Sequence, residues 1–577
     1  MIFYDTEVFK YDWVLCWLDT TTKKTYHIVN DVDKLQKFYD HYANEIWVGY
    51  NSRNYDVWII KAILCGFNPY DVSTWIIEKE RKGFEYSRLL NNFPIINYDC
   101  SFGFRSLKEL EAFMGHDIKE TSVPFSIDRK LTKDELLETI EYCKNDVNET
   151  FTVFVETAEE FESHIGLIKE FDFGIENLNK TKAQLSALIL GARKRYRNDE
   201  FEITLPDTLQ LGKYQFIADR YMDWGNNIKD YSKMDFVADV CGVKHRFGIG
   251  GLHGAVENYY GDGDFLMVDV ASYYPALMIE YDFLSRNVSN PKKYKEIRDE
   301  RLEMKANNDP KEYPRKIVLN ATFGACKDKY NGLYDPLQSN NVCIAGQLLL
   351  VDLLDKLEGY CELVQSNTDG LLLKLYDRND FDDIFKICND WSKRTRMELE
   401  YDWYRKVIQK DVNNYIILPE GDLYNEKGKE LFKRKGAMVK KLSPLDNDLS
   451  VVNKAVVDYF INGTKPEITI NNTNELIQFQ KITKISNKYE YAVHNGVILN
   501  EKVHRVFATL DYNLGGTLYK KHRNKDTLDK TPSTPETCVV INNNIEGFSA
   551  PEWLDRNWYI ELANTRIQMF LGGVIYW

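Results

Sequence analysis

Six acidic residues in this chain stand where carboxylates could hold divalent cations, in two groups far apart in sequence. The segment Met267-Val268-Asp269-Val270-Ala271-Ser272-Tyr273-Tyr274-Pro275 carries one aspartate at the end of an apolar run, and Val364-Gln365-Ser366-Asn367-Thr368-Asp369-Gly370-Leu371 carries a second, 100 positions on. An unpaired buried carboxylate is costly, so each needs a partner. A salt bridge, a helix N-cap or a cation would serve, and carboxylate oxygens suit Mg²⁺, which is held by one or two carboxylates plus substrate phosphates. Near the start, Asp5 and Glu7 are two residues apart, hence on one face of a strand. They repel there unless solvated or bridged by a cation. Asp56 follows Tyr50-Asn51-Ser52-Arg53-Asn54-Tyr55, and Tyr142 and Asp146 are four apart, so they share a helix face. A plain N-cap at Asp56 and a surface pair at Tyr142 and Asp146 are the alternatives.

The elements that must position these groups follow from periodicity. Phe265–Val270 reads as a buried strand, and Pro275 is expected to end pairing and hold Tyr274 extended. Leu363-Val364 and Leu371–Leu375 read as two strands around a tight turn at Asn367–Gly370, placing Asp369 at a hairpin tip. Phe3–Phe9 reads as a strand, Asp56 opens an apolar helix over Val57–Leu64, and Asp134–Ala158 reads as a helix. Glu159–Lys182 and then Lys182–Tyr196 also read as helical. Tyr294–Lys305 and Tyr313–Ala321 form a helical hairpin broken at Ala306-Asn307-Asn308-Asp309-Pro310. Arg301 and Lys305 share a face of its first helix, and Lys316 lies on the second. Three converging cations would clamp phosphate oxygens; alternatively Arg298, Arg301 and Lys305 pair with Glu296, Glu300 and Glu303 along a solvated helix.

These segments, in this order, resemble family B DNA polymerases with a DnaQ-like proofreading domain. Asp269-x-x-Ser272-Tyr273-Tyr274-Pro275 is similar to motif A (Asp-x-x-Ser-Leu-Tyr-Pro), Lys316-x-x-x-Asn320-Ala321-Thr322-Phe323-Gly324 to motif B (Lys-x-x-x-Asn-Ser-x-Tyr-Gly), and Asn367-Thr368-Asp369-Gly370 to motif C (Asp-Thr-Asp-Ser). Asp5-x-Glu7, Tyr50-Asn51-Ser52-Arg53-Asn54-Tyr55-Asp56 and Tyr142-x-x-x-Asp146 resemble the three exonuclease motifs without departure. The likeness is strongest to polymerases of bacterial viruses, including the protein-primed group. It implies two Mg²⁺ per centre, with Mn²⁺ as a substitute, held by Asp269 and Asp369 with Val270 in the ligand set, and by Asp5, Glu7, Asp56 and Asp146, with Tyr142 orienting the attacking water. It implies dNTP contacts from Arg301, Lys305, Lys316, Asn320, Tyr274 and Ser272, with Tyr274 under the sugar. Arg246-Phe247-Gly248-Ile249-Gly250-Gly251 resembles the Tyr-x-Gly-Gly loop, with its aromatic one position early, and Val412-Asn413-Asn414-Tyr415 resembles the Lys-x-Tyr loop, with Asn413 for Lys. Gly250, Gly251, Asn51, Tyr415, Lys433 and Lys435 would then touch DNA. The other departures are Tyr273 for Leu, Ala321 for Ser, Phe323 for Tyr, and Asn367 for the first aspartate of motif C.

The implied fold class is α/β and α+β multidomain: an RNase H-like exonuclease domain plus a right-hand palm, fingers and thumb. The expected division is 1-165 exonuclease, 166-245 connection, 246-290 palm, 291-322 fingers, 323-408 palm and 409-577 thumb. Only 47 positions separate Asp269 from Lys316, and 45 separate Gly324 from Asp369. The insertions of the protein-primed relatives have no room there, so protein priming and high intrinsic processivity are not expected.

Composition limits the rest. With 577 residues the chain is too long for one core. A net charge of -14 argues against an all-basic surface but leaves room for a positive groove, such as the run Phe432-Lys433-Arg434-Lys435-Gly436 with Lys440 and Lys441. The 10 Cys include no C-x-x-C pair, so neither a zinc site nor a disulfide framework is indicated. No apolar run of about 18 residues predicts a membrane span, and Met1-Ile2-Phe3-Tyr4-Asp5 does not read as a signal peptide. The expectation is therefore a replicative enzyme in a bacterial host's cytoplasm, acting on primer-template DNA, dNTPs and, in the nuclease site, single-stranded DNA. Its rivals are an exonuclease with a degenerate polymerase domain, which Asn367 motivates, and a non-catalytic replication scaffold.

Overall fold

The computed structural model describes residues 1–573. They form two compact units, and the chain visits each more than once: Met1–Lys180, Leu442–Ala455 and Lys465–Leu562 make the first, while Thr181–Lys441, Val456–Thr464 and the chain from Ala563 make the second. The range expected as thumb is thus divided between units, and its last four positions, 574–577, lie outside the described residues.

The first unit is built on a five-stranded sheet whose spatial order is Lys24–Val29, Trp13–Asp19, Ile2–Val8, Trp47–Gly49 and Asn97–Asp99. The first three strands are antiparallel and the last two join in parallel. Ile2–Val8 is buried on both faces, because both are covered. Ile2 and Tyr4 pack with Trp47, Ile59 and Ile60. Phe3, of opposite parity, meets Phe151 and Phe154 on the long helix Lys133–Glu156 at ring separations of 5.0 and 5.2 Å. Strand alternation therefore gives Asp5 and Glu7 the face that Phe3 presents to that helix. Thr132 and Glu135 start the helix with a reciprocal capping box.

The late segment of the first unit is β-rich. A buried strand, Val503–Ala508, pairs with Lys481–Lys484 and Cys538–Val540. It packs with the short helix Leu107–Met114, whose Leu110, Ala112, Phe113 and Met114 share a core with Ile482 and Val503. Arg505 sits fully buried at this contact and donates to the carbonyls of Ala112 and His116, both at 2.9 Å, and of Asn543 at 2.9 Å. Orphan carbonyls at a helix C-terminus need such donors. Arg505→Met should destabilise the protein by about 3 kcal/mol or more, because each stranded buried carbonyl costs roughly 1–3 kcal/mol; urea unfolding of the two proteins measures it.

The second unit centres on a nine-stranded sheet in the order Lys433–Lys435, Asn414–Pro419, Leu399–Asp411, Tyr259–Val270, Gly370–Leu375, Cys361–Asn367, His253–Ala255, Val243–Phe247 and Phe236–Val240. Tyr259–Val270 pairs with Leu399–Asp411 on one side and Gly370–Leu375 on the other. Its Phe265 lies in a core with Val364, Leu372, Val407 and Ile417. The hairpin of Pro291–Ala306 and Glu312–Lys327 is closed by Tyr294, whose hydroxyl donates to Leu319 O at 3.0 Å.

Three local expectations differ from the structure. The helix expected over 159–182 ends at Glu170, where Asp172 turns left-handed at φ 53°, and only a short 3₁₀ turn, Ile175–Asn179, follows. Pro275 does not leave Tyr274 extended: both lie in the first turn of a helix, Tyr273–Glu280, where a missing N–H costs nothing. The sharp turn is made instead by Ser272, left-handed at φ 48°. The helix from Lys182 stops at Ile189 rather than running to Tyr196, and Gly191, at φ +60°, follows its end. Among the described residues no helix is long and apolar enough to cross a membrane.

Two candidate carboxylate centres

In the second unit the two strands carrying the motifs lie side by side. Asp269 is the register partner of Gly370, and the Val270 N–H donates to Asp369 O at 2.7 Å. The hairpin turns through Thr368, left-handed at φ 49°. Gly370 is glycine for a reason of space: a Cβ there would come within 1.8 Å of Asp269 Oδ1. Gly251 likewise leaves room for Thr368, whose Oγ1 would lie 2.5 Å from an added Cβ. Gly370→Ala should crowd the Asp269 carboxylate and weaken divalent-cation binding at this centre by about tenfold or more, since even displaced partners behind a ligand cost roughly 10–100-fold; Mn²⁺ titration of the two proteins checks it.

Around this pair the sheet edge gathers cations. The basic run folds as the strand Lys433–Lys435, where Tyr415 pairs with Lys435. Burial pushes the Asp269 carboxyl up to about 6, opposed by Lys433 and reinforced by Asp369, Asp402 and Glu400. Burial also raises Asp369, against Lys435 and Lys433. Lys433 Nζ lies 3.1 Å from Asp402 Oδ2. Tyr415 is raised by burial and feels both Lys433 and Asp269.

The helical hairpin reaches the same place. Arg301 Nη1 donates to Ser272 Oγ at 2.9 Å, and its Nε pairs with Glu312 at 3.0 Å, not with Glu296, Glu300 or Glu303. Lys305 Nζ is 3.6 Å from Glu400, the residue opposite Asp269 on the next strand. Lys316 and Asn320 are exposed on the second helix. Tyr274 lies against Phe323 with ring centroids 4.4 Å apart. Gly250 and Gly251 sit in the loop before His253–Ala255, and Gln347 Nε2 donates to the carbonyls of Gly248 and Gly250, both at 2.7 Å.

In the first unit the four carboxylates are also neighbours. Asp56 is not an N-cap: its Oδ1 accepts from Thr6 N at 3.1 Å and Thr6 Oγ1 at 2.6 Å, fixing it beside the strand that bears Asp5 and Glu7. Burial raises Asp5, and Asp56, Glu7 and Asp146 add to the shift. Burial likewise raises Glu7, with Asp146 and Asp56 next, and takes Asp56 up to about 7. Tyr142 is raised by burial, then by Asp146, Glu7 and Asp5. Asn51, left-handed at φ 57°, is held by its N–H to Asp99 Oδ1 at 3.0 Å.

Reasoning from the sequence missed Lys108. Its buried ammonium donates to Asp146 Oδ1 at 2.6 Å and Glu111 Oε1 at 2.9 Å and lies 4.7 Å from the Tyr142 ring centroid. Burial opposes its charge, but Asp146 and Glu111 outweigh that and hold its pKa above the usual lysine range. The available signal was the capping-box pattern Ser106-x-x-Glu109, which marks a helix start and puts Lys108 and Glu111 three apart on one side.

Both centres fit divalent cations by their donor chemistry. Glu7 is 8% exposed and accepts no hydrogen bond among the described residues. Mutually raised carboxylates with one lysine between four acids are a set short of positive charge.

No family model and no curated protein matches the chain. Among solved structures it is similar to one described as the family B DNA polymerase from the hyperthermophilic archaeon Pyrobaculum calidifontis, at 12% identity and a TM-score of 0.41 over 100% of this chain and 78% of that one. A likeness that low leaves the case to the residues themselves.

Proposed function

We propose that the chain is a template-directed DNA polymerase with 3′→5′ proofreading exonuclease activity, replicating a viral genome in a bacterial cytoplasm. One observation carries the synthesis half: Asp269 and Asp369 meet on paired strands, and a basic strand, Lys433–Lys435, and Arg301 of the helical hairpin approach the same spot. Mg²⁺ held by Asp269 and Asp369, or by Asp5, Glu7, Asp56 and Asp146, would supply charge stabilisation at phosphate and a more acidic attacking oxygen.

The chain's own residues supply position. Lys433 and Lys435 take backbone phosphates of the primer-template, a contact that makes binding salt-dependent. Lys316, Lys305 and Arg301 take the triphosphate, the arginine in fork geometry. Tyr274, braced by Phe323, lies under the sugar, and Asn320 lines the nascent pair. In the nuclease centre Tyr142 orients the attacking water while Lys108 offsets the charge of Asp146.

A second reading, a nuclease with a silent synthesis half, rests on Asn367, which removes one charge from motif C. Primer extension by the Asp5→Ala form on a recessed template with dNTPs decides between them. Extension is expected; its absence, with single-strand degradation by the unmutated protein intact, leaves only the nuclease.

A further inference from the structure

The nuclease centre contains a group that an all-oxygen site for Mg²⁺ does not need. Cys143 follows Tyr142 on the long helix and is fully buried. Its Sγ lies 3.5 Å from Asp5 Oδ2 and 3.4 Å from Asp5 O. One ligand atom each from Asp5, Glu7 and Cys143 all lie within 4.8 Å of one another. Glu7, more than nine-tenths buried, brings a carboxylate with no hydrogen-bond partner into that triad.

Hard cations such as Mg²⁺ gain little from sulfur, whereas thiolate ligands select softer ions. Zn²⁺ takes mixed sets of Cys sulfur and Asp or Glu oxygen, usually four-coordinate, with water free to complete the shell. We infer that this centre also binds a thiophilic divalent cation, Zn²⁺ or its spectroscopic stand-in Cd²⁺, through Cys143 Sγ together with Asp5 and Glu7, in competition with Mg²⁺. The inference rests on the nuclease reading above only for the competing ion. On binding, the thiol releases its proton to solvent and the sulfur lone pair forms the metal bond, so no oxidant or reductant is involved.

The test is a Cd²⁺ titration of the full chain, followed by the ultraviolet sulfur-to-cadmium charge-transfer band. The unmutated protein should show a tight first equivalent, weakened by added Mg²⁺. Cys143→Ser should remove that equivalent. Glu7→Gln, which leaves every thiol in place, should weaken it by more than about tenfold, given that even the partners behind a ligand are worth roughly 10–100-fold. Melting curves confirm that each variant is folded, and Cys143→Ala stands in if the serine form is not. A band unchanged in folded Cys143→Ser or Cys143→Ala, or in Glu7→Gln, overturns the inference. Single-strand degradation in Mg²⁺ alone is scored separately: a nuclease-active protein without the cadmium signal sinks only this inference, and the signal without nuclease supports it while sinking the nuclease reading.

Discussion

Replacing Asp269 by Asn should reduce primer extension at least about 1,000-fold, a loss of some 4 kcal/mol of transition-state stabilisation, and leave single-strand degradation untouched. Asp269 lies in the second unit, whereas Asp5, Glu7, Asp56 and Asp146 lie in the first. Single-turnover extension on an Asp5→Ala background reads the synthesis step without proofreading. Retention of extension within tenfold would remove Asp269 from the chemistry. The pH dependence follows with a definite sign. Burial holds the Asp269 carboxyl up at about 6, and the ionised form is the one that can bind a cation. In protein free of bound metal, cation affinity should therefore fall as pH drops through about 6, and extension at limiting Mg²⁺ should fall with it.

Asp56→Asn should move two properties in opposite directions. Nuclease activity should drop by about 1,000-fold or more as one cation-holding charge disappears. The folded protein without metal should nevertheless become more stable at pH 8. Burial is the main reason Asp56 titrates at about 7 in the fold, against an ordinary aspartate near 4 when unfolded. A carboxyl raised in this way leaves the fold unpenalised below about pH 4, and the penalty grows as pH rises to about 7. The asparagine escapes it while its amide oxygen can still accept from Thr6 N and Thr6 Oγ1. The gain should be on the order of 2–4 kcal/mol above pH 7, shrink as pH falls, and vanish near pH 4. Thermal melts of both proteins in chelator across that range provide the measurement. A variant no more stable than its parent at pH 8 would mean that Asp56 is not charged and penalised in the metal-free fold.

What the sequence made legible was local. The Asp369 hairpin follows from turn residues between apolar runs, and the two helices around Ala306–Pro310 from a strong break. The same-face geometry of Asp5 and Glu7 follows from a period of two. What it hid was long-range. Lys433 and Lys435 read as a basic run fit for DNA, but nothing nearby says that their strand joins the same sheet, with two strands between it and the one that bears Asp269. Lys108 looks like any helix-start lysine until Asp146, 38 positions on, is folded against it. Pro275 is ambiguous in the sequence because proline fits an extended end and a first helical turn equally well, and the left-handed Ser272 before the helix decides between them.

The return of residues 465–562 to the first unit has a consequence for synthesis of the protein itself. Arg505 and the Ala112 carbonyl it satisfies are 393 positions apart. At about 5–20 residues per second, a ribosome needs on the order of tens of seconds between completing the early sheet and delivering that arginine. Through that interval the helix bearing Lys108 lacks the arginine that satisfies its C-terminal carbonyls. The first unit therefore closes only after most of the chain has been made.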